Sequence, residues 1–155
     1  MDRIDRLEAI HACTDLVNNY ATYLDDYNYD AFMGLWVDAP ELDMLGNLHQ
    51  GLNAIRGWLD GREKDMICRH LVTNITTQIH TPDDATGRCY TLAFRAPNAA
   101  WQPPGALVTP TFLVNYRSEF RRDPARGWLF SRRSVTADLA GPDQMRALFL
   151  NALHR

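Results

Sequence analysis

Apolar residues at Ile4, Leu7, Ile10, Cys13, Val17, Tyr20 (with Ala21) and Leu24 recur every three to four positions. That period predicts one buried face of a long amphipathic helix over about residues 3–26. Tyr27-Asn28-Tyr29 interrupts it, and Asp30 is placed to cap a short second helix with Phe32, Leu35 and Trp36 on one side. Asp38-Ala39-Pro40 is expected to stop that helix. Glu41 to Gln50 reads as a small hairpin about a Gly46-Asn47 turn. The stretch Gly51 to Asp60 then predicts a third helix, with Leu52, Ile55, Trp58 and Leu59 inward and Gly61 closing it.

After residue 65 the period shortens to that of strands. Met66 to His80 is rich in Ile, Val and Thr and ends at Pro82-Asp83-Asp84; Thr86 to Phe94 follows as its hairpin partner. Residues 96–106, with three prolines and a glycine, form a long loop. Leu107 to Arg122 predicts a long strand, with Phe112, Val114, Tyr116, Ser118 and Phe120 on one face. Asp123 to Gly127 turns the chain into a last strand, Trp128 to Asp138. Gly141-Pro142 opens an amphipathic C-terminal helix through Met145, Leu148, Phe149 and Leu150. Helices first and an antiparallel sheet afterwards indicate an α+β fold, with the helices on one face of a curled sheet. Such a sheet folded over a long helix encloses a cone-shaped cavity, a shape that small-ligand sites favour.

Composition narrows the partners. A chain of 155 residues suits a single domain over 1–155, and 46% hydrophobic with 23% charged residues is ordinary for a globular protein. A net charge of −3 argues against a nucleic-acid surface, which needs a basic stripe. No apolar run reaches the length of a membrane helix, and the N-terminus lacks a signal-peptide pattern, so a cytoplasmic location is expected. Cys13, Cys68 and Cys89 are too few and too scattered for a disulfide framework or a zinc site. Phosphate loops, nucleotide-binding glycine fingerprints, serine elbows and metal-binding histidine pairs are missing as well. Any chemistry is therefore expected to be acid/base chemistry, without cofactor or metal.

Candidate groups for that chemistry are few. Asp25 follows Leu24 and stands four residues after Ala21, on the shoulder of the first helix's apolar stripe. A carboxylate there must be paired, hydrated or protonated, although a partly exposed helix-end aspartate also fits. His70 lies early on a strand, on the alternation face of Val72 and Asn74. It is either a hydrogen-bonded structural residue or, beside a carboxylate, a proton carrier. Of Arg132 and Arg133 on the last strand, one must face solvent and the other can point inward to bind an oxygen; two solvated edge charges fit equally well. Tyr20, about one turn before Asp25, offers a phenol for orienting a carboxylate or a substrate oxygen, or simply for packing. Trp58, Trp101 and Tyr116 are candidates for an aromatic pocket, and Asn74 for a further substrate contact.

Together these stretches resemble the SnoaL-like branch of the nuclear-transport-factor-2-like superfamily, beside scytalone dehydratase, bile-acid dehydratase and ketosteroid isomerase. The resemblance spans roughly residues 4–138. It rests on Tyr20 to Asp25 with Tyr29-Asp30, on Gly51-x-x-Ala-Ile-Arg-x-Trp-Leu59, on Arg69-His-Leu-Val-Thr-Asn74, and on Gly127-Trp-x-Phe-x-x-Arg133. It implies a cone-shaped barrel of strongly curved sheet wrapped around the long N-terminal helix, with a pocket for a small, often polycyclic molecule. It also implies that Tyr20, Asp25 and His70 occupy the dehydratases' tyrosine, aspartate and histidine positions, and that Arg133 matches the late-strand arginine better than Arg132. Two departures stand out: Thr86 to Phe120 has no second histidine, and Leu24 replaces the tyrosine beside scytalone dehydratase's catalytic aspartate.

Two kinds of function follow. In the first, His70 paired with Asp25 removes a proton next to a substrate carbonyl, and Tyr20 and Arg133 hold the developing oxyanion. Dehydration, isomerisation and cyclisation of a small cyclic or polyketide- or steroid-like hydroxy-carbonyl compound share that step. In the second, the chain is a non-catalytic small subunit of a ring-hydroxylating dioxygenase, or a ligand-binding domain without chemistry. A homodimer or trimer is expected in either case, because many members of the superfamily self-associate through the outer sheet face.

Overall fold

The computed structural model describes residues 1–98 and 110–141. The first helix, α1 (Arg3–Asp25), starts at an Asp2 capping box. Asp2 Oδ1 accepts from the backbone N–H groups of Ile4 and Asp5, and Asp5 Oδ2 accepts from that of Asp2. Its buried residues are Ala9, Cys13, Leu16, Val17, Tyr20, Ala21 and Leu24. Ile4 and Leu7 are exposed, contrary to the stripe expected from the sequence. At about 100° per residue a strict spacing of three slips about 60° per step, so the series 4, 7, 10, 13 winds away from the core.

Tyr27, in the left-handed region at φ 56°, ends the helical path, and α2 (Tyr29–Met33) follows. Its cap is Asn28, whose side chain accepts from the Ala31 N–H, rather than the expected Asp30. The strand β1 (Trp36–Met44) begins at once, so Asp38-Ala39-Pro40 lies within a strand and not at a helix end. Pro40 is tolerated because the pairing with the last strand shifts between Trp36 and Glu41, leaving no ladder bond for the missing N–H. β1 turns into β2 (Asn47–Gln50) through Leu45 and Gly46, both at positive φ, one residue earlier than the Gly46-Asn47 turn expected. The helix α3 (Leu52–Asp60) buries Ile55 and Leu59 fully.

Four long elements complete the sheet: β3 (Met66–Thr81), β4 (Asp84–Pro97), β5 (Phe112–Asp123) and β6 (Gly127–Ala140). The expected 96–106 loop and C-terminal helix lie largely or wholly outside the described residues. The strand order is β2-β1-β6-β5-β4-β3, antiparallel throughout except for the parallel β1–β6 pair. The architecture is therefore α+β as expected. The sheet, however, is open, with β2 and β3 at its edges, and not a closed barrel. The core lies between α1 and the concave face, around Tyr20, Phe32, Trp36, Phe120 and Phe130.

Two bulges set which side chains point inward. On β3, Asn74 and Ile75 stand opposite one β4 residue, since Thr73 pairs with Tyr90 and Thr76 with Arg88. The extra residue reverses the alternation and bends the strand over the helix. The bend brings the Thr76 carbonyl so close that a Cβ on Gly87 would lie 2.9 Å from it. On β6, Ser131 is the extra residue, since Glu119 pairs with Arg132 and Phe120 with Phe130. That is why Phe130 and Arg133, three apart, both face the core.

Candidate active site

The last turn of α1 packs against β3, and there Asp25 meets His70. Asp25 Oδ1 lies 2.5 Å from His70 Nδ1, and Asp25 Oδ2 accepts the His70 backbone N–H at 2.8 Å. Both side chains are nearly buried, at 11% exposure for His70 and 10% for Asp25. β3 is an edge strand, so N–H groups on its open side have no ladder partner. Asp25 supplies the missing acceptor for one of them and binds the ring of the same residue. Two contacts fix the imidazole's position and tautomer: Nδ1–H donates to the carboxylate, which leaves Nε2 as the ring's working atom. Nε2 has no hydrogen-bond partner among the described residues.

The helix end itself is unusual. Asp25 and Asp26 sit at the negative pole of α1, and its last turn has no basic residue. Arg62, from the segment after α3, offsets this by donating from Nη1 to the Leu24 carbonyl at 3.1 Å. Its guanidinium also lies over the rings of Tyr27 and Trp58.

His70 opens on a cavity of about 420 Å³. Its aromatic walls are Trp58, Phe112 and Tyr116; Leu24, Val114 and Val135 add aliphatic surface, and Arg62 and Arg95 add charge. A larger depression of about 530 Å³ lies on the sheet's outer face among Arg88, Arg117, Glu119 and Arg132, with neither Asp25 nor His70 in its lining.

Behind the Tyr116 wall is a second polar centre. Arg133 is 1% exposed, and its guanidinium carbon lies 4.1 Å from the Tyr20 ring centre, 4.2 Å from that of Tyr116 and 4.8 Å from that of Phe130. Its only polar contact among the described residues is a weak one, Nη2 to Cys89 Sγ at 3.8 Å. Nε, Nη1 and the Tyr20 hydroxyl have no partner there. Burial pushes the Tyr116 phenol up to about 12 and Tyr20 higher still, against the opposing pull of Arg133, so both keep their protons at neutral pH. The cation therefore sits in a box of neutral rings.

Among the described residues, no three His, Cys, Asp or Glu side chains come together as a metal would require. No helix among them is long and apolar enough to cross a membrane.

A family model described as a SnoaL-like domain matches residues 5–134. The chain belongs to that family. Solved structures agree with the assignment. An NTF2-like protein with a cystatin-like fold from Novosphingobium aromaticivorans is 27% identical, over 94% of this chain and 92% of its own, at a TM-score of 0.76. A type 2 hexachlorocyclohexane dehydrochlorinase (LinA) is 19% identical over 91% and 93%, at 0.77. A protein from Novosphingobium aromaticivorans provisionally assigned as a scytalone dehydratase is 18% identical over 90% and 91%, also at 0.77. The last two establish likeness of fold. No functionally curated protein matches the chain.

Within this SnoaL-like fold, the residues singled out from the sequence fall into three groups. Asp25, His70, Trp58 and Tyr116 converge, the last three as cavity wall and Asp25 bonded to His70. Tyr20 and Arg133 meet each other, but in the box behind the wall and not on the lining. Asn74 is not brought to the cavity: it is the exposed bulge residue at φ 53°, and Ile75 takes the inward place. Trp101 lies outside the described residues. Arg132 faces solvent, 3.6 Å from Glu41, so Arg133 is the inward one of the pair. Both cationic wall residues, Arg62 and Arg95, escaped the sequence reading. The alternation of Ala93, Arg95 and Pro97 about the inward Ala93 was the available signal for Arg95; Arg62 had none.

Proposed function

We propose that this protein is an acid/base enzyme that eliminates water, or a comparable leaving group, from a small cyclic hydroxy-carbonyl compound. The observation that carries this reading is the His70 imidazole, gripped through Nδ1 and its own backbone by one carboxylate, with Nε2 unengaged beside an aromatic-walled cavity. The names borne by the structural neighbours, dehydrochlorinase and dehydratase, both denote eliminations, of hydrogen chloride and of water.

The geometry suits the following steps. His70 Nε2 takes the proton from the carbon next to the carbonyl, and the C–H electron pair moves onto the carbonyl oxygen as an enolate. Asp25, hydrogen-bonded to Nδ1–H, stabilises the imidazolium so formed. The enolate collapses to the conjugated alkene and expels the β-hydroxyl, which takes the proton back from Nε2 and leaves as water. Tyr116, a protonated phenol in the cavity wall, is suited to donate to the developing oxyanion. The Arg133 charge behind its ring favours the same negative charge through a water-poor wall. Isomerisation and ring closure share the first step and differ only in where the proton or carbon bond goes next.

The test is proton exchange in D₂O with a panel of cyclic β-hydroxy-ketones, followed by NMR. His70→Ala should slow both α-proton exchange and dehydration by about 10²–10⁴-fold. An unchanged rate in that variant would remove the reading and leave a non-catalytic subunit or binding domain in its place.

A further inference from the structure

The cavity is short of negative charge. Arg62 and Arg95 line it and Arg133 lies behind it, and none of the three has a carboxylate partner among the described residues. The acids nearby are committed or outward. Both oxygens of Asp25 are taken by His70, and Glu63, on the lining, is exposed and joins no ion pair among the described residues. Outside the described residues the chain has a single acidic side chain, Asp143, and residues 99–109 have none.

Arg95 is the most telling of the three. It pairs in register with Cys68, while His70 pairs with Ala93, two positions before Arg95 on the same inner face. Arg95 is thus the diagonal neighbour of His70, with Cα atoms roughly 7–8 Å apart by the usual geometry of a ladder. Its Nε is buried and unpartnered among the described residues, whereas a solvated guanidinium would keep that atom in water. The backbone N–H of Arg95 donates to Thr111 Oγ1 at 3.1 Å, which fixes the base of the side chain. A guanidinium on a tethered backbone, with an unmet buried donor, beside the candidate base and on a cavity with aromatic walls, suits an anion.

We infer that the cavity takes a ring compound bearing a carboxylate, and that Arg95 is the residue that binds the carboxylate. The anion lies on the same wall as His70, so it anchors the ring and is not the carbonyl that reacts. Arg62 adds a second positive charge to the lining. That the bound anion is a substrate rests on the elimination proposed above; that the cavity selects a carboxylate does not.

The test uses benzoate, cyclohexanecarboxylate and 2-naphthoate, each against its own carboxamide, with binding to the unmodified protein measured by calorimetry and ligand-observed NMR. At least one acid should bind about 10–100-fold more tightly than its amide, the discrimination expected of a charge-assisted hydrogen bond. Arg95→Met should abolish that preference and Arg95→Lys should keep part of it, each with a cooperative melt showing that it folds. Equal binding of acid and amide, failure of every acid to bind, or a preference surviving in a folded Arg95→Met protein overturns the inference. His70→Ala separates the two proposals. Lost catalysis with retained acid preference supports both, whereas unchanged catalysis with retained preference removes the elimination and leaves the carboxylate site standing.

Discussion

His70 and Arg133 both stand on the concave face of one sheet, with β4 and β5 between their strands, and they are accommodated in opposite ways. His70 is on an edge strand and meets a carboxylate that satisfies its ring and its backbone together. Arg133 is on an interior strand, more deeply buried, and meets rings, a thiol and no acid among the described residues. A partnered group of the first kind is oriented, and its remaining nitrogen is aimed. A cation of the second kind has lost its hydration without gaining a counter-ion, at a typical cost of several kcal/mol. Stability alone does not account for keeping such a charge, since an apolar side chain would fill the space. The edge site is suited to orienting a group and the interior site to holding a fixed charge.

The sharpest way to break that contrast is Asp25→Asn. An asparagine has one acceptor oxygen for the two His70 donors, so either the ring or the backbone N–H loses its partner. The ring's tautomer is then no longer held, and turnover should fall by about 10²–10⁴-fold, with a stability loss of about 1–3 kcal/mol from the unmet donor. Steady-state kinetics alongside a denaturant melt reads both. Turnover within threefold of the unmodified protein would mean that the carboxylate does no more than tie down a strand edge.

Arg133→Met should behave the other way round. Losing the unpartnered charge should leave stability unchanged or raise it by up to about 4 kcal/mol. The ring contacts oppose this by about 0.5–2 kcal/mol each. Turnover should nonetheless fall, by about tenfold, as the bias behind Tyr116 is removed. Urea midpoints at unchanged slope measure the first effect and kcat the second. A stability loss beyond about 2 kcal/mol would show that the aromatic box holds the cation favourably, and the two regions would then differ less than the geometry suggests.

Much of this contrast was legible in the sequence, and the illegible part has a physical cause. Asp25, His70, Tyr20 and Arg133 were singled out from local pattern and family resemblance, and the structure brings them together as two pairs. What local pattern does not encode is the extra residue of a bulge. One bulge turned Asn74 out of the cavity, and another put Arg133 rather than Arg132 inside, because each reverses the alternation beyond it. The first helix misled for a related reason. Ile4 and Leu7 keep the right spacing to their neighbours while drifting off the buried face. Arg62 reaches the cavity from a turn, where no periodicity constrains a side chain. Pairing of distant elements, such as the end of α1 with the open edge of β3, lies beyond any local window.

The smallest effect tests whether the aromatic box is closed to solvent. Burial raises the Tyr116 phenol from 10.0 to about 12 and the Cys13 thiol from 9.0 to about 12, and it raises Tyr20 further. For a group raised on folding, the associated stability is fully present below the unfolded value and is lost as pH climbs through the folded one. Stability should therefore hold up to about pH 9 and then decline to about pH 12, at no more than about 1.4 kcal/mol per pH unit for each group. Urea midpoints between pH 8 and 11.5 give the slope, and tyrosinate absorbance shows when the phenols ionise. In a closed box Tyr116→Phe should flatten the slope above pH 10, and buried phenols should ionise only as the chain unfolds. Reversible ionisation of every tyrosine near pH 10 in the folded protein would mean that water reaches the rings around Arg133. Its guanidinium would then be hydrated, and the interior site would lose the feature that sets it apart from the edge.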